Sequence, residues 1–532
     1  MKLAQRLARA AALLGLAAAV LFSAPLAAKT FRFANQGDVV SMDPHSLNES
    51  FLLNFMGNVY EPLVGRGKNL ELIPLLATDW KQTAPTVWRF NLRKGVQFHD
   101  GAPFTADDVI FSYRRAQADG SDVKTYVQEI AEIRKINDHA IDIVTKAPFP
   151  ILPDVISLWY MMSKDWSEKN RAVNPVDRRK GTENTASFKA NGTGPFRLRS
   201  REPGVRTTLS RNFGYWGNAQ INTNIEEVVF TPIGNAATRV AALLSGEIDM
   251  MEPVPVQDIP RLRANANLKV MEGPELRTIF LGMDQSRDEL LLSNVKGRNP
   301  FKDKRVRQAF YQAIDINAIQ RAVMRGAATP TALMIAPGIR GFAADMNKRL
   351  PFDPEAARRL LAEAGYPQGF EVGMDCPNDR YVNDEEICKA IVPMLARVGV
   401  KVNLTAQTRA TYFQKILSRN TSFYLLGWTP GSYDSHNPLN ALMATPDTKS
   451  GRGQFNLGSY SNKRLDDLTA QIAVEIDAKK RDAMIREAMQ IHSDDVGHIP
   501  LHQQALAWGM KRNVETVQLA DNFMFLKWTV LK

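Results

Sequence analysis

Two cysteines in 532 residues, Cys376 and Cys388, are too few for a fold stapled by disulfides, and neither has the setting of a catalytic thiol. The usual catalytic signatures are missing as well. There is no Gly-x-Ser-x-Gly elbow, no Walker phosphate loop, no dinucleotide-binding glycine pattern and no His-Glu-x-x-His pair. The closest His pair, His498 and His502, spans Pro500, which opposes a helix, and no third ligand is evident. Acid pairs such as Asp107-Asp108, Asp466-Asp467 and Asp494-Asp495 fall at helix ends or on exposed faces, where capping and solubility account for them. The expectation is therefore no enzyme, no metal and no cofactor.

No block of five or more like charges occurs, so the net charge of +11 is spread thinly and no concentrated basic face for nucleic acid is expected. A run long enough to span a bilayer is also lacking. The apolar stretch from Ala10 to Phe22 follows Lys2, Arg6 and Arg9 and precedes Ser-Ala-Pro-Leu-Ala-Ala-Lys, the layout of a cleavable secretory signal. Cleavage is expected after Ala28. That leaves 64 Lys and Arg against 56 Asp and Glu in a mature chain that is soluble, monomeric, periplasmic and not inserted in a membrane. No Cys near the cut supports a lipid anchor.

What remains is a mixed α/β chain, without repeats, long enough for about three domains. Thr105-Ala-Asp-Asp108 caps a helix running to about Ala116, and Asp353-Pro354 opens another that Gly365 closes. Val306, Ala309, Phe310, Ala313 and Ile314 follow the spacing of a core-facing helix. A strand is expected over Phe370 to Met374, with Cys388 on the apolar side of the next helix. Whether the two cysteines bond or stay as buried thiols is open at this stage.

One stretch is distinctive: LRKGVQFHDGAPFTADDV over residues 92–109, continuing to Phe111-Ser112 and Arg114. Physically it reads as a strand ending at Phe98, a turn through His99-Asp100-Gly101, and the capped helix. It resembles the signature of the family 5 extracellular solute-binding proteins. Further matches follow in that family's order: GTGPF at 192–196, LSGEID at 244–249, FKDKRVRQAF at 301–310 with Ala313-Ile314-Asp315, and LLGW at 425–428. Several motifs in register over some 400 residues carry more weight than any one of them.

The resemblance implies the two-lobed α/β fold of periplasmic binding proteins, of the larger type with an extra domain. Domain I would comprise residues 29–70, 190–272 and 503–532, the extra domain II residues 71–189, and domain III residues 273–502. Two crossing strands near Leu276 to Met283 and Ile499 to Trp508 would act as hinges that close the lobes on a ligand. The implied role is delivery of a dipeptide, oligopeptide or peptide-like solute to the permease subunits and cytoplasmic ATPases of an ABC importer. Relatives that carry opines, metal chelates, haem or sugars keep a non-peptide solute open, and a chaperone or chemoreceptor carrier would share the fold.

A buried zwitterion needs both its charges compensated. In dipeptide-binding members an Arg after the strand that opens this part of domain III pairs with the ligand carboxylate. The matching residue is Arg380, whose alternative reading is a surface Arg paired with Asp379. Trp428 stands where relatives cover the ligand, or else closes a strand in the core. Peptide-binding relatives place an Asp three residues later to hold the ligand amine, and this chain has Gly431 there. Asp434 is the available substitute, unless it merely caps the Pro430-Gly431 turn. By position alone Tyr381, Tyr433, His436 and Asn437 join the candidates. So does Asn48, in a loop at 43–50 that resembles the family's domain I contact loop.

Overall fold

The computed structural model describes residues 29–532, so the expected export signal lies outside the described residues. Helices begin where the sequence supplies caps. Thr105 accepts from the Asp107 amide while Asp108 accepts from the Thr105 amide, opening Ala106–Gln117. Asp353 accepts from the Ala356 amide ahead of Pro354–Glu363, and Gly365 follows with φ 90°. The strand expected to end at Phe98 is shorter. It runs Val87–Leu92, after which Gly95 turns at φ 74° and Phe98 is buried edge-on against Phe104, 6.1 Å between ring centres. That apolar residue plugs the core from a loop.

The middle of the main sheet is an antiparallel pair of long strands, Leu268–Met283 and Ile499–Lys511. Beside Leu268–Met283 lie Phe423–Trp428, Glu371–Pro377 and Lys401–Gln407, the last two parallel. Beside Ile499–Lys511 come Met250–Glu252, Thr30–Asn35, Glu227–Pro232, Arg206–Arg211 and Phe196–Glu202. The long pair thus joins two lobes of one α/β fold. A separate antiparallel sheet orders Ala77–Ala84, Val87–Leu92, Ala140–Thr145 and Ile130–Asn137. It shares a core with its neighbours, because Val109, Ile143 and Trp159 belong to the same apolar cluster as Phe33 and Phe55.

In the other lobe the sheet is covered on both faces, as parallel strands require. Phe301, Phe310, Phe370 and Phe423 pack on one face, and Tyr412, Tyr424 and Leu465 on the other. The ladder between the long strands breaks between Pro274 and Thr278, where four steps on one strand match two on its partner. Such a bulge re-aims side chains. Here it turns Glu275 and Arg277 into a buried ion pair at 2.8 Å and brings Arg277 to the cleft. No helix among the described residues is long and apolar enough to cross a membrane.

Candidate ligand-binding site

The cleft between the lobes holds a cavity of about 620 Å³, counting the open solvent at its mouth. Its wall is assembled from distant stretches. The helix Ser50–Met56 contributes its first turn, the Arg380 loop and the end of Phe423–Trp428 face it, and Arg277, on the long strand Leu268–Met283, and Asp521 complete it.

Arg380 owes its position to a tethered loop. Cys376, in the strand Glu371–Pro377, is bonded to Cys388 in the helix Asp384–Ala396, which settles the question left open by the sequence. Within the loop so closed, the Asp384 carboxylate accepts from the Arg380 amide at 2.9 Å and the Tyr381 amide at 2.8 Å. The Arg380 side chain is buried, with Nη2 2.6 Å from Glu49 Oε1 across the lobes, and its Nε has no partner among the described residues. Asp379 is not its partner, because that carboxylate accepts from the Arg409 amide.

Glu49 is itself fixed. It accepts from the Phe51 and Leu52 amides as the cap of Ser50–Met56, and Arg409 lies 3.5 Å away. Burial alone would raise its carboxyl. The charges of Arg380 and Arg409 and the two amides outweigh that and hold it down at about 2. Replacing both cysteines with Ser should cost about 2–3 kcal/mol in urea unfolding, since the crosslink closes a loop of 12 residues. Equal midpoints for wild type and variant would show that the bond holds nothing.

Trp428 ends its strand half-exposed to the cavity, with its ring centre 4.9 Å from that of Phe455 and Nε1 donating to Asn437 Oδ1 at 2.8 Å. Tyr381 donates its hydroxyl to the Gly427 carbonyl at 3.3 Å. Tyr433, in the left-handed region at φ 53°, donates to Asp521 Oδ2 at 2.5 Å. Asn48 accepts from the Tyr126 hydroxyl at 2.8 Å, while its Nδ2 and the nearby Thr429 Oγ1 are buried without a partner among the described residues. Arg380, Trp428, Tyr381, Tyr433 and Asn48 therefore meet in one cavity.

The other three candidates do not line it. Asp434 is corrected from amine ligand to structural ion, because Arg481 donates to both its oxygens at 2.7 Å and the His436 amide takes Oδ1 as well. His436 is buried edge-on to Phe149, and burial pushes its imidazole down to about 4. Asn437 stands behind Trp428 and orients the indole. Gly431 does reach the wall, but a Cβ there would lie 2.7 Å from Leu158 Cδ1. That atom is the tip of a flexible side chain, so Leu158 would have to swing aside to admit a side chain at 431.

Comparison with known proteins agrees with this architecture. The profile of the bacterial extracellular solute-binding proteins, family 5 Middle, matches residues 71–450. The chain belongs to this family. The glutathione-binding protein GsiB of Escherichia coli (strain K12) is 25% identical over 513 residues, covering 94% of each chain. Among solved structures, the periplasmic binding protein DppA of Helicobacter pylori with the peptide STSA aligns at a TM-score of 0.82 with 24% identity, covering 94% of this chain and 98% of the other. The dipeptide-binding protein of Pseudoalteromonas sp. SM9913 with Met-Leu aligns at 0.84 with 22% identity, covering 95% and 100%. The binding protein AgaA of A. tumefacien R10 in complex with agropinic acid aligns at 0.83 with 20% identity, covering 94% and 99%.

In this family member the sequence reading missed several cleft residues, among them Arg277, Glu49, Asp521 and Glu252. Glu252 lines an adjoining cavity that shares Arg277 and Arg380 with the first. Its Oε2 has no partner among the described residues, and burial pushes the carboxyl up to about 8. A raised acid keeps its proton in the folded state while the unfolded chain releases it. Stability from this group therefore falls as pH rises from about 4.5 to about 8. Glu252→Gln should flatten that decline, raising the melting temperature at pH 8.5 more than at pH 4.5. An equal change at both values would show that Glu252 does not titrate in this window.

Proposed function

We propose that this chain is the solute-capture component of an ABC importer, working in the periplasm and binding a small peptide or peptide-like solute rather than catalysing a reaction. The observation that carries the reading is the convergence of unpartnered buried polar atoms in one interlobe cavity. Arg380, Asn48 and Thr429, whose Nε, Nδ2 and Oγ1 lack partners among the described residues, all line it. Buried donors left unpaired cost about 1–3 kcal/mol each, so a ligand that satisfies them gains what the protein alone forgoes. Tyr381, Trp428, Tyr433 and Phe455 supply flat apolar surface between these polar points, the pattern expected where a peptide backbone is gripped and its side chains are covered.

The cavity wall carries no His, Cys or Met among the described residues, so a soft metal or a His-ligated haem would find none of its usual ligands there. The peptide-bound and glutathione-binding relatives support a peptide, and the AgaA complex makes an opine the arm to test against it. Thermal-shift measurements with Met-Leu, Ser-Thr-Ser-Ala, glutathione, agropinic acid and a nickel–histidine chelate separate these. A ligand at 1,000 times its dissociation constant adds about 4 kcal/mol to the folded state. The peptide reading fails if agropinic acid or the chelate raises the melting temperature and no peptide does.

A further inference from the structure

The cavity contains a carboxylate without a counter-charge. Asp521 is 3% exposed and lines both the main cavity and a neighbouring one behind Tyr433. Its Oδ2 accepts from the Tyr433 hydroxyl and its Oδ1 from the Phe523 amide. No Lys, Arg or His nitrogen among the described residues lies within 4.0 Å of it. Other cations of the two walls are engaged elsewhere. Arg66 pairs with Asp154 at 2.9 Å while its guanidinium covers the Tyr433 ring, Arg277 pairs with Glu275, and Lys527 lies over the Trp528 and Phe525 rings. Neutral hydrogen bonds alone leave a buried carboxylate poorly compensated. Burial accordingly pushes the Asp521 carboxyl up to about 6, with the Tyr433 hydroxyl and Phe523 amide offsetting part of the rise.

Its placement is as specific as its charge state. The preceding residue, Ala520, accepts through its carbonyl from the Leu276 amide at 2.8 Å, at the bulge where the hinge strand leaves its ladder. That bond pins Asp521 to the hinge beside Arg277, and Tyr433 reaches across from the other lobe to complete the corner. The cavity therefore presents Arg380 with an open donor and Asp521 with an open acceptor charge. Gly431, meanwhile, offers no side chain to this wall.

Resting on the peptide reading above, we propose that Asp521 is the cation anchor of this site and holds the ammonium group of a zwitterionic ligand. The anchor then stands on the hinge-bound C-terminal segment, and Tyr433 is its positioning residue.

Calorimetric titration of the full mature chain with Met-Leu, Ser-Thr-Ser-Ala and the N-acetyl form of each tests the assignment. Wild type should prefer the free amines at least tenfold at pH 7.5. Asp521→Asn should lose that preference while binding the acetylated peptides within threefold of wild type. Asp521→Glu keeps the charge and should retain part of the preference, which serves if the Asn variant does not fold. Equal affinity of wild type for free and acetylated peptides overturns the assignment and leaves the peptide reading standing. So does an undiminished preference in Asp521→Asn. If no peptide of either kind binds wild type, the peptide reading falls and the anchor falls with it.

Discussion

Replacing Arg380 with Ala is expected to weaken binding of a peptide with a free carboxylate at least tenfold, about 1.4 kcal/mol or more. Two losses combine. The variant removes a cavity-lining guanidinium whose Nε is unpartnered, and it strips Glu49 of its contact at 2.6 Å, leaving only Arg409 at 3.5 Å. Lys at this position should not rescue, because a point charge does not reproduce a planar fork. Titration with Met-Leu and with its C-terminal amide isolates the first loss. Wild type should discriminate between them, and the Ala variant should not. Unchanged affinity for Met-Leu would remove Arg380 from the site.

The second loss has its own signature. A carboxyl held down at about 2 contributes stability above its unfolded value near 4.5, and that contribution disappears as pH falls toward 2. Without Arg380 the Glu49 carboxyl should protonate at higher pH. Arg380→Ala should then lose stability relative to wild type at neutral pH, with the gap narrowing as both become protonated in acid.

What the sequence made legible was local. Thr105, Asp353 and Gly365 announce helix ends through chemistry confined to a few neighbours, and the structure follows them. Arg380, just after a strand, and Trp428, at the end of one, were legible as candidates because each belongs to a recognisable string. Partnerships were not legible. Glu49 meets Arg380 across 331 positions of chain, and no pattern near either residue names the other. Asp434 looked available because the cation that claims it, Arg481, is 47 residues away on the helix Ala478–Asp494. Asp521 carries no flanking signal, and the bond from the Leu276 amide to the preceding carbonyl is made at a bulge that spacing cannot reveal. Phe98 erred the other way, its apolar character marking a core plug instead of a strand.

Arg481→Met is expected to destabilise the protein by about 3–5 kcal/mol, because it leaves the Asp434 carboxylate buried without its counter-ion. Both guanidinium Nη atoms lie 2.7 Å from Asp434, and Nε donates to the Ile472 carbonyl at 3.0 Å, so the side chain also ties the helix Lys463–Val474 to the cleft turn. That turn carries Tyr433, and through it the contact with Asp521. The single variant should therefore lose ligand affinity as well as stability, although neither Asp434 nor Arg481 lines the cavity. Asp434→Asn combined with Arg481→Met removes the stranded charge and should recover a large part of the stability, since deleting both members of a buried pair costs far less than deleting one. Urea unfolding of the two singles and the double gives the coupling directly. Additive single effects would mean that the ion pair is incidental, and the shape of the turn would then need another source.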